Sequence, residues 1–509
     1  MKQLNDQRVL ILGLGVSGLA MAVWCARHGA DVTVVDTREQ PPALAQLTSQ
    51  VPAARFISAA LEASLVEGAG YRAVFASPGL SPSAIGPVMQ AASAQGLWCG
   101  GELTLFAQAL VDLREQENYA PTLLAVTGTN GKTTVTALTG LLVSAAGKDA
   151  VVAGNIGPSL LDTLAERLDA GALPEAWVLE LSSFQLELAG AFEPTAATVL
   201  NLTQDHLDWH GSMDAYVAAK AKVFGQHGLM VLNRDDANVM ALPREPAGKK
   251  PKAKVVPREV ASFGSDVPRQ TGDFGIEIAN GMAWLVRATS ESGGRPDARR
   301  RRSDCEEMYI QRLMPAEALR IRGRHNALNA LAALALASAA GCSLAPMLGA
   351  LREYCGEPHR VESIGVIEEV EYFDDSKGTN VGATVAALLG LGAERRLVVI
   401  LGGDGKGQDF APLARPVSRH ARAVVLIGRD GPLIRSVLEG TGVELIDAAS
   451  MEQAVELAAD HAKPTDAVLM SPACASFDMY RNYEHRAEVF RAAVSTIAHQ
   501  RGALLETTA

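Results

Sequence analysis

The sequence predicts an α/β protein of three successive domains, each organised around a mostly parallel sheet. Short apolar runs alternate with helical stretches along the chain, and almost every run ends in a glycine-rich or polar loop. Two of those loops have the spacing of phosphate cradles. Aromatics make up only 5% of the residues while alanine and glycine are abundant, which suits closely packed α/β layers. The length of 509 residues agrees with about three domains of roughly 150 residues. With 48% hydrophobic and 20% charged residues, the chain has the composition of a soluble protein. The net charge of −11 counts against nonspecific nucleic-acid binding. Cys25, Cys99, Cys305, Cys342, Cys355 and Cys474 form no CxxC pair and no metal-ligand spacing, and read as reduced thiols. The uncharged run Val9 to Ala26 has the hydropathy of a leader or anchor, but Gly13, Gly15 and Gly18 interrupt it and Asp6 precedes it. No membrane insertion is expected, and the expected location is the cytoplasm.

The first block, residues 1–101, gives a strand, a glycine turn and a helix start in "RVLILGLGVSG". A second strand, "ADVTVVDTRE", reaches Asp36, and a third, in "AVFASPGLSP", ends near Ser77. Gly13-x-Gly15-x-x-Gly18 followed by Asp36 matches the dinucleotide fingerprint in its strand–turn–helix setting and makes the block Rossmann-like. The glycines let backbone amides approach a diphosphate, and the acid takes hydroxyl or imide donors. A glycine-rich packing turn is the structural alternative. A nicotinamide dehydrogenase would fit this loop, yet only about three strands are evident where the full fold uses six.

The second block, residues 102–356, runs through "LLAVTG", "AVVAGNIG", "WVLELSS", "ATVLNLT" and "LMVLNRDD". Gly128-Thr129-Asn130-Gly131-Lys132-Thr133-Thr134 follows the first of these strands and opens a helix, giving a P-loop ATPase-like domain and an expectation of ATP. The usual first glycine of such a loop is Val126 here, so the turn is tighter. Backbone amides cradle phosphates, Lys132 neutralises them and Thr133 is placed to ligate Mg²⁺. From about Ala241 to Arg320 the alternation loosens; basic stretches at about 241–258 and 291–308 read as surface insertions. The third block, residues 357–509, alternates again in a second Rossmann-like pattern. Its strand-end loops "DDSKGTN", "GGDGKGQDF" and "SPACASFDMYRNYEHR" are the ones to watch, because ligands of parallel sheets bind beyond the carboxyl ends of strands.

Taken in order, "TGTNGKTT", "GNIG", "ELSSFQLE", "TQDHLDWHG", "HNALNALAA" and "PHRVE" resemble the Mur ligase family, which joins amino acids to the peptidoglycan precursor. The resemblance spans essentially the whole chain apart from the two basic insertions. Within the family, the third-block loops and "GLGVSG", "DTR" and "SPG" look like the member that adds D-glutamate to UDP-N-acetylmuramoyl-L-alanine. The L-alanine-adding member is the nearest alternative; Asn130 stands where that member would carry a histidine. The resemblance turns the first cradle into a UDP-sugar site, with Gly15, Val16 and Ser17 on the diphosphate, Asp36, Thr37 and Arg38 toward uridine, and Ser77 and Gly79 nearby.

The same resemblance implies an acyl-phosphate mechanism with ATP and two Mg²⁺ ions, in a cytoplasmic monomer. Thr133 and Glu180 would hold the first ion; His206 and a CO₂-derived carbamate on Lys220 would hold the second, with Asp205 the more natural oxygen ligand by chemistry alone. Read without the family, Glu180 is a structural ion-pair partner, His206 a cap or core histidine and Lys220 a solvated helix lysine. Carbamylation needs a neutral amine, so Lys220 should have a lowered pKa, and Lys222 should point elsewhere. Asn155, Ser182 and Gln185 would face the UDP-substrate. Asn326 and Asn329 would face adenine, with His359, Arg360, Asp375 and Lys377 closing over the nucleotide, Arg360 stabilising transferring charge. Thr379, Lys406, Ser476 and the backbone near Tyr483 would hold D-glutamate; Lys406 also reads as a plain surface lysine, and tyrosine at 483 departs from the phenylalanine of the pattern. Two readings outside the family stay open at this point: a nicotinamide oxidoreductase carrying an ATP-dependent domain, and a nucleotide sensor without ligation.

Overall fold

In the computed structural model, which describes residues 1, 3–243, 258–290 and 307–503, the chain builds three sheets in succession. Apart from their edges, the two basic insertions lie outside the described residues, as do Cys305 and the run Arg299 to Arg302.

The first sheet holds β1 (Arg8–Leu12), β2 (Asp31–Asp36), β3 (Arg55–Ser58), β4 (Ala73–Ala76) and β5 (Trp98–Gly100). All are parallel in the order β3-β2-β1-β4-β5. Five strands stand where three were evident in the sequence. The two additional ones, "RFIS" and "WCG", are short edge strands without a continuous buried run. Strand order reverses between β1 and β4, and such a switch point opens a crevice at the strand ends, where the glycine turn lies.

The second sheet comprises β6 (Thr122–Thr127), β7 (Ala150–Gly154), β8 (Ala176–Glu180), β9 (Ala196–Val199), β10 (Leu229–Asn233), β11 (Val260–Phe263), β12 (Phe274–Ala279), β13 (Met282–Ser290) and β14 (Met308–Pro315). Their order is β14-β13-β12-β11-β10-β9-β6-β8-β7. Strands β6 and β8 to β10 are apolar almost throughout because helices cover both faces. One covering helix, Arg324–Ala339, is so rich in Ala and Leu that it buries most of its circumference and packs against Lys132–Ala145, the helix that opens at the phosphate loop. The antiparallel run β12-β13-β14 occupies the region read as loose insertion. Half-exposed strands lack the apolar run that marks β6, and the insertions conceal their turns.

The third sheet contains β15 (Glu362–Ile367), β16 (Val370–Asp374), β17 (Leu397–Gly402), β18 (Ala421–Ile427), β19 (Glu444–Asp447) and β20 (Ala467–Met470), ordered β15-β16-β20-β17-β18-β19. Only β15 runs antiparallel, to β16. The neighbours β16, β20 and β17 deliver the three predicted loops side by side. The architecture is therefore α/β with three parallel-rich sheets, as expected.

The first and second sheets share a junction helix, Glu102–Glu117, whose Phe106 meets Trp177 of β8 edge-on at 5.2 Å between ring centres. Both rings are fully buried. Phe106→Ala should lower unfolding stability by about 3–5 kcal/mol, read as a drop in denaturant midpoint.

Candidate functional site

A cleft of about 290 Å³ opens where the ends of β6 to β9 face the loop after β16. Its floor is the phosphate loop. Gly131 takes φ +83° at the head of the helix, and a Cβ there would come within 2.8 Å of Asn329 Oδ1. Only glycine combines that backbone with so close a neighbour. Lys132 Nζ donates back to the carbonyls of Gly128 (3.1 Å) and Thr129 (2.9 Å). Burial lowers the Lys132 pKa, against the pull of Glu180 and Asp205. Thr133 Oγ1 accepts from Arg360 Nη2 at 2.7 Å, so a third-sheet arginine reaches the expected metal-ligating hydroxyl.

Glu180 ends β8 at 3% exposure. Its partner is an amide, not a cation: Asn155 Nδ2 donates to Oε1 at 2.9 Å. Asn155, expected on the substrate, thereby fixes the carboxylate. Ser182 and Gln185 close a capping box on the short helix that follows: Ser182 N and Oγ donate to Gln185 Oε1 (both 3.0 Å), and Gln185 N donates to Ser182 Oγ (3.2 Å). Their side chains are buried and serve that turn.

His206 takes φ +54° and lies 3.6 Å from Asp205 Oδ2 with its ring edge-on to Phe184. Burial, then the charges of Lys132, Lys220 and Lys406, lower its pKa against Asp205, leaving a neutral imidazole fit to act as a ligand. Lys220 is 2% exposed beneath the phosphate loop. Its Nζ donates to Gly128 O (2.8 Å) and Thr127 Oγ1 (3.3 Å), 4.7 Å from the centre of the Tyr216 ring one helical turn away. Burial and then Lys132 push its pKa well below the usual range for an amine. Lys222 points outward to Glu187 at 3.0 Å.

Asn326 and Asn329 line the cleft from one helix face and bond each other at 3.0 Å. From the third sheet come Arg360, Asp375, Lys377 and Thr379. Lys377 Nζ stands 3.8 Å over the Tyr483 ring, and burial with Arg360 nearby lowers it to about 8. Asp375 accepts from Ser471 Oγ (2.6 Å) and Val361 N (3.2 Å), and burial beside Asp374 raises it to about 7. His359 turns away, bonding buried Asp374 at 2.8 Å. Among the described residues Lys406, Ser476 and Tyr483 do not line the cleft. Exposed Lys406 is 5.9 Å from the Phe477 ring, Ser476 is 3% exposed, and the Tyr483 carbonyl accepts from Ser376 Oγ at 2.8 Å.

The first-sheet residues converge separately. Gly15, exposed Val16 and Ser17 follow β1, Asp36, Thr37 and Arg38 follow β2, and Ser77 and Gly79 follow β4. Asp36, read as a donor acceptor for ligand, has its oxygens engaged by its own chain: Leu14 N (2.8 Å), Arg38 N (2.9 Å) and the Arg38 guanidinium (2.8 Å twice). That fork holds the carboxyl down at about 2.

Several residues at the sites carried no legible signal. Glu102, 3% exposed, accepts from Leu161 N (3.2 Å) and Ser17, tying the first cradle to the segment after "GNIG". In sequence it is an ordinary acid at a helix start. Arg486, 1% exposed, donates to Ser376 O (2.8 Å) and Cys474 O (3.1 Å), joining two third-sheet loops. Tyr216 was findable from its spacing to Lys220; its hydroxyl shares a 3.0 Å hydrogen bond with Thr129.

Family models match the chain at residues 7–101 (Mur ligase MurD-like, N-terminal domain), 126–265 (Mur ligase middle domain) and 359–474 (Mur ligase, glutamate ligase domain). The chain belongs to the Mur ligase family. Its similarity extends to proteins named UDP-N-acetylmuramoylalanine--D-glutamate ligase: 64% identity over 509 residues with that of Albidiferax ferrireducens, covering 100% of both chains. Those of Polaromonas sp. (55%, covering 99% of this chain and 100% of the relative) and Burkholderia mallei (56%, 98% of each) are also similar. Among solved structures, MurF from Acinetobacter baumannii shares the fold at TM-score 0.56 and 18% identity, over 95% of this chain and 93% of that one. MurF ligase from Thermotoga maritima in complex with ADP does so at 0.55 and 14%, over 98% and 100%. No helix among the described residues is long and apolar enough to cross a membrane.

Because folding raises the Asp375 pKa from an ordinary 3.8 to about 7, its stabilising share is complete below 3.8, is lost progressively as pH rises toward 7, and levels off above it. Asp375→Asn should flatten the fall in urea midpoint between pH 5 and pH 8.

Proposed function

We infer that this chain is an ATP-dependent ligase joining D-glutamate to UDP-N-acetylmuramoyl-L-alanine in peptidoglycan precursor synthesis, releasing ADP and phosphate. The full-length relatives of that name support the substrate pair. The observation that carries the chemistry is a single cleft in which the phosphate loop, Glu180 and His206 meet Arg360 and Lys377 from another sheet.

A carboxylate at neutral pH does not accept an amine, so it must first be activated. A carboxylate oxygen of the alanyl group takes the γ-phosphoryl of ATP, the bond to the β-phosphate breaks, and ADP leaves. The D-glutamate nitrogen then attacks the acyl carbon, inorganic phosphate departs and the amine loses a proton. The first step sets anion against anion, and preorganised cations lower that barrier. Lys132 on the loop and Arg360 beside Thr133 are those cations in our reading. Asn326 and Asn329 orient adenine, while Asp375 and Lys377 cover the nucleotide. The Gly15–Ser17 turn, Thr37, Ser77 and Gly79 grip the UDP handle, with Arg38 locking Asp36 behind them.

The donor set fits Mg²⁺: Thr133 and Glu180 offer hard oxygens, and neutral His206 stands across the cleft. When bound, the ions screen the meeting anions. Lys220 is proposed to form a carbamate, its neutral amine adding to CO₂ with loss of a proton; burial and the adjacent Lys132 favour the neutral form this requires. Thr379 and Lys406 are proposed for one D-glutamate carboxylate, Ser476 and the Tyr483 backbone for the other, with closure of the third domain bringing the outer three inward. The three domains are proposed at 1–101, 102–356 and 357–509, working as a cytoplasmic monomer.

Incubation with UDP-N-acetylmuramoyl-L-alanine, ATP, Mg²⁺ and a panel of free L- and D-amino acids should give amide product and ADP with D-glutamate. Product formed preferentially with L-alanine would assign the other family activity. Lys220→Ala should abolish ligation and regain part of it with added short carboxylates; full activity without rescue removes the carbamate.

A further inference from the structure

Asn380 ends the loop "DDSKGTN" and heads the helix Val381–Leu391. Only 5% exposed, it bonds in three directions. Oδ1 accepts from Ala383 N at 2.9 Å, capping its own helix. The same oxygen accepts from Asn130 Nδ2 (3.2 Å), while Nδ2 donates to Asn130 Oδ1 (3.1 Å) and Asp205 Oδ2 (3.3 Å). Asn130 lies in the phosphate loop and Asp205 beside His206, so one third-sheet amide grips both sides of the central machinery. The bond between the two asparagines is reciprocal, and each satisfies an oxygen and a nitrogen of the other.

A second feature of the same contact is Gly382, inside the first turn of that helix. A Cβ there would stand 2.8 Å from Thr203 Oγ1 and 3.1 Å from Asn130 Nδ2. Glycine within a helix is unfavourable relative to alanine. The close approach to the phosphate loop accounts for its presence.

We propose that Asn380 is a positioning residue that latches the third domain onto the phosphate loop and aligns Lys377 and Thr379, its near neighbours, with the nucleotide. It rests on the ligase reading above. A neutral amide pair suits a contact that forms and releases, since neither asparagine carries a charge to be stripped of water and Asp205 meets only an amide N–H. Asp205 adds direction, because only an amide nitrogen, and not a second carboxylate, can face it.

The variants separate latch from cap. Asn380→Ser and Asn380→Asp both keep an oxygen that caps the helix. Serine cannot return the paired bonds, and aspartate sets like charge against Asp205. With wild-type protein active as a control, both should lower kcat/KM for D-glutamate about 10-fold or more, aspartate the further. Binding of UDP-N-acetylmuramoyl-L-alanine should not change in either variant, nor the melting temperature of Asn380→Ser, whose cap is kept and which adds no charge. Gly382→Ala should show the same loss, because its Cβ crowds Thr203 and Asn130 and parts the paired amides while leaving the Asn380 cap in place. Wild-type kinetics in the Ser and Asp variants, an active Gly382→Ala, or an Asn380→Ser whose melting falls in step with its activity each overturns the latch. Scattering keeps the test independent of turnover: with a non-hydrolysable ATP analogue, wild-type protein should have a smaller radius of gyration than Asn380→Asp, and equal radii sink the proposal. Failure of wild-type protein to ligate, with that difference intact, would strike the ligase reading alone.

Discussion

Positive charge is crowded into a partly dry place, and the arrangement of the cleft follows from that. Lys132, Lys377 and Arg360 share the neighbourhood of two carboxylates, Glu180 and Asp205, with Lys220 beside them driven toward its neutral form. Burial and mutual repulsion push the three lysine pKa values down, which is how a low-dielectric site registers cations short of counter-charge. Such a site attracts polyanions strongly, and the field is in place before the ligand arrives. The lysines are steadied by backbone carbonyls of the phosphate loop or by aromatic rings, so their positions do not depend on acidic partners that would cancel them.

That field is assembled from two sheets. The central one supplies the loop at the end of β6; the third supplies Lys377 from the loop after β16 and Arg360 from the segment before β15, where His359 and Val361 both take positive φ. Buried Asp374, held by Arg491 Nε at 3.1 Å, anchors His359 and therefore the arginine next to it. The anchor and the unusual backbone on either side of Arg360 fix where its guanidinium stands over Thr133.

The sequence made the parallel strands legible because burial on both faces leaves continuous apolar runs, as in β6 and β8. It made the two cradles legible because glycine spacing is dictated by backbone approach. The half-exposed strands β12 to β14 and the edge strands β3 and β5 were not, since neither alternation nor apolar continuity singles them out. The chemistry of Lys220 was legible only through family resemblance: nothing in "AYVAAKAKVF" distinguishes it from Lys222, and only tertiary burial separates them. Side-chain commitments such as the Ser182–Gln185 box, the Asn155–Glu180 bond and the Asn380 contacts depend on chain segments meeting in space, which one-dimensional spacing does not encode.

The engagement of Asp36 has an outcome for the first cradle. In the dinucleotide fingerprint the acid after the second strand is the group that reads a ribose. Here its oxygens accept from Leu14 and Arg38, so the acid also braces the turn. What the pair leaves open to solvent is the half-exposed guanidinium of Arg38, flat and cationic. One short-range ion pair thus ties the end of the second strand to the glycine turn after the first, so the cradle and its acid are held as one piece.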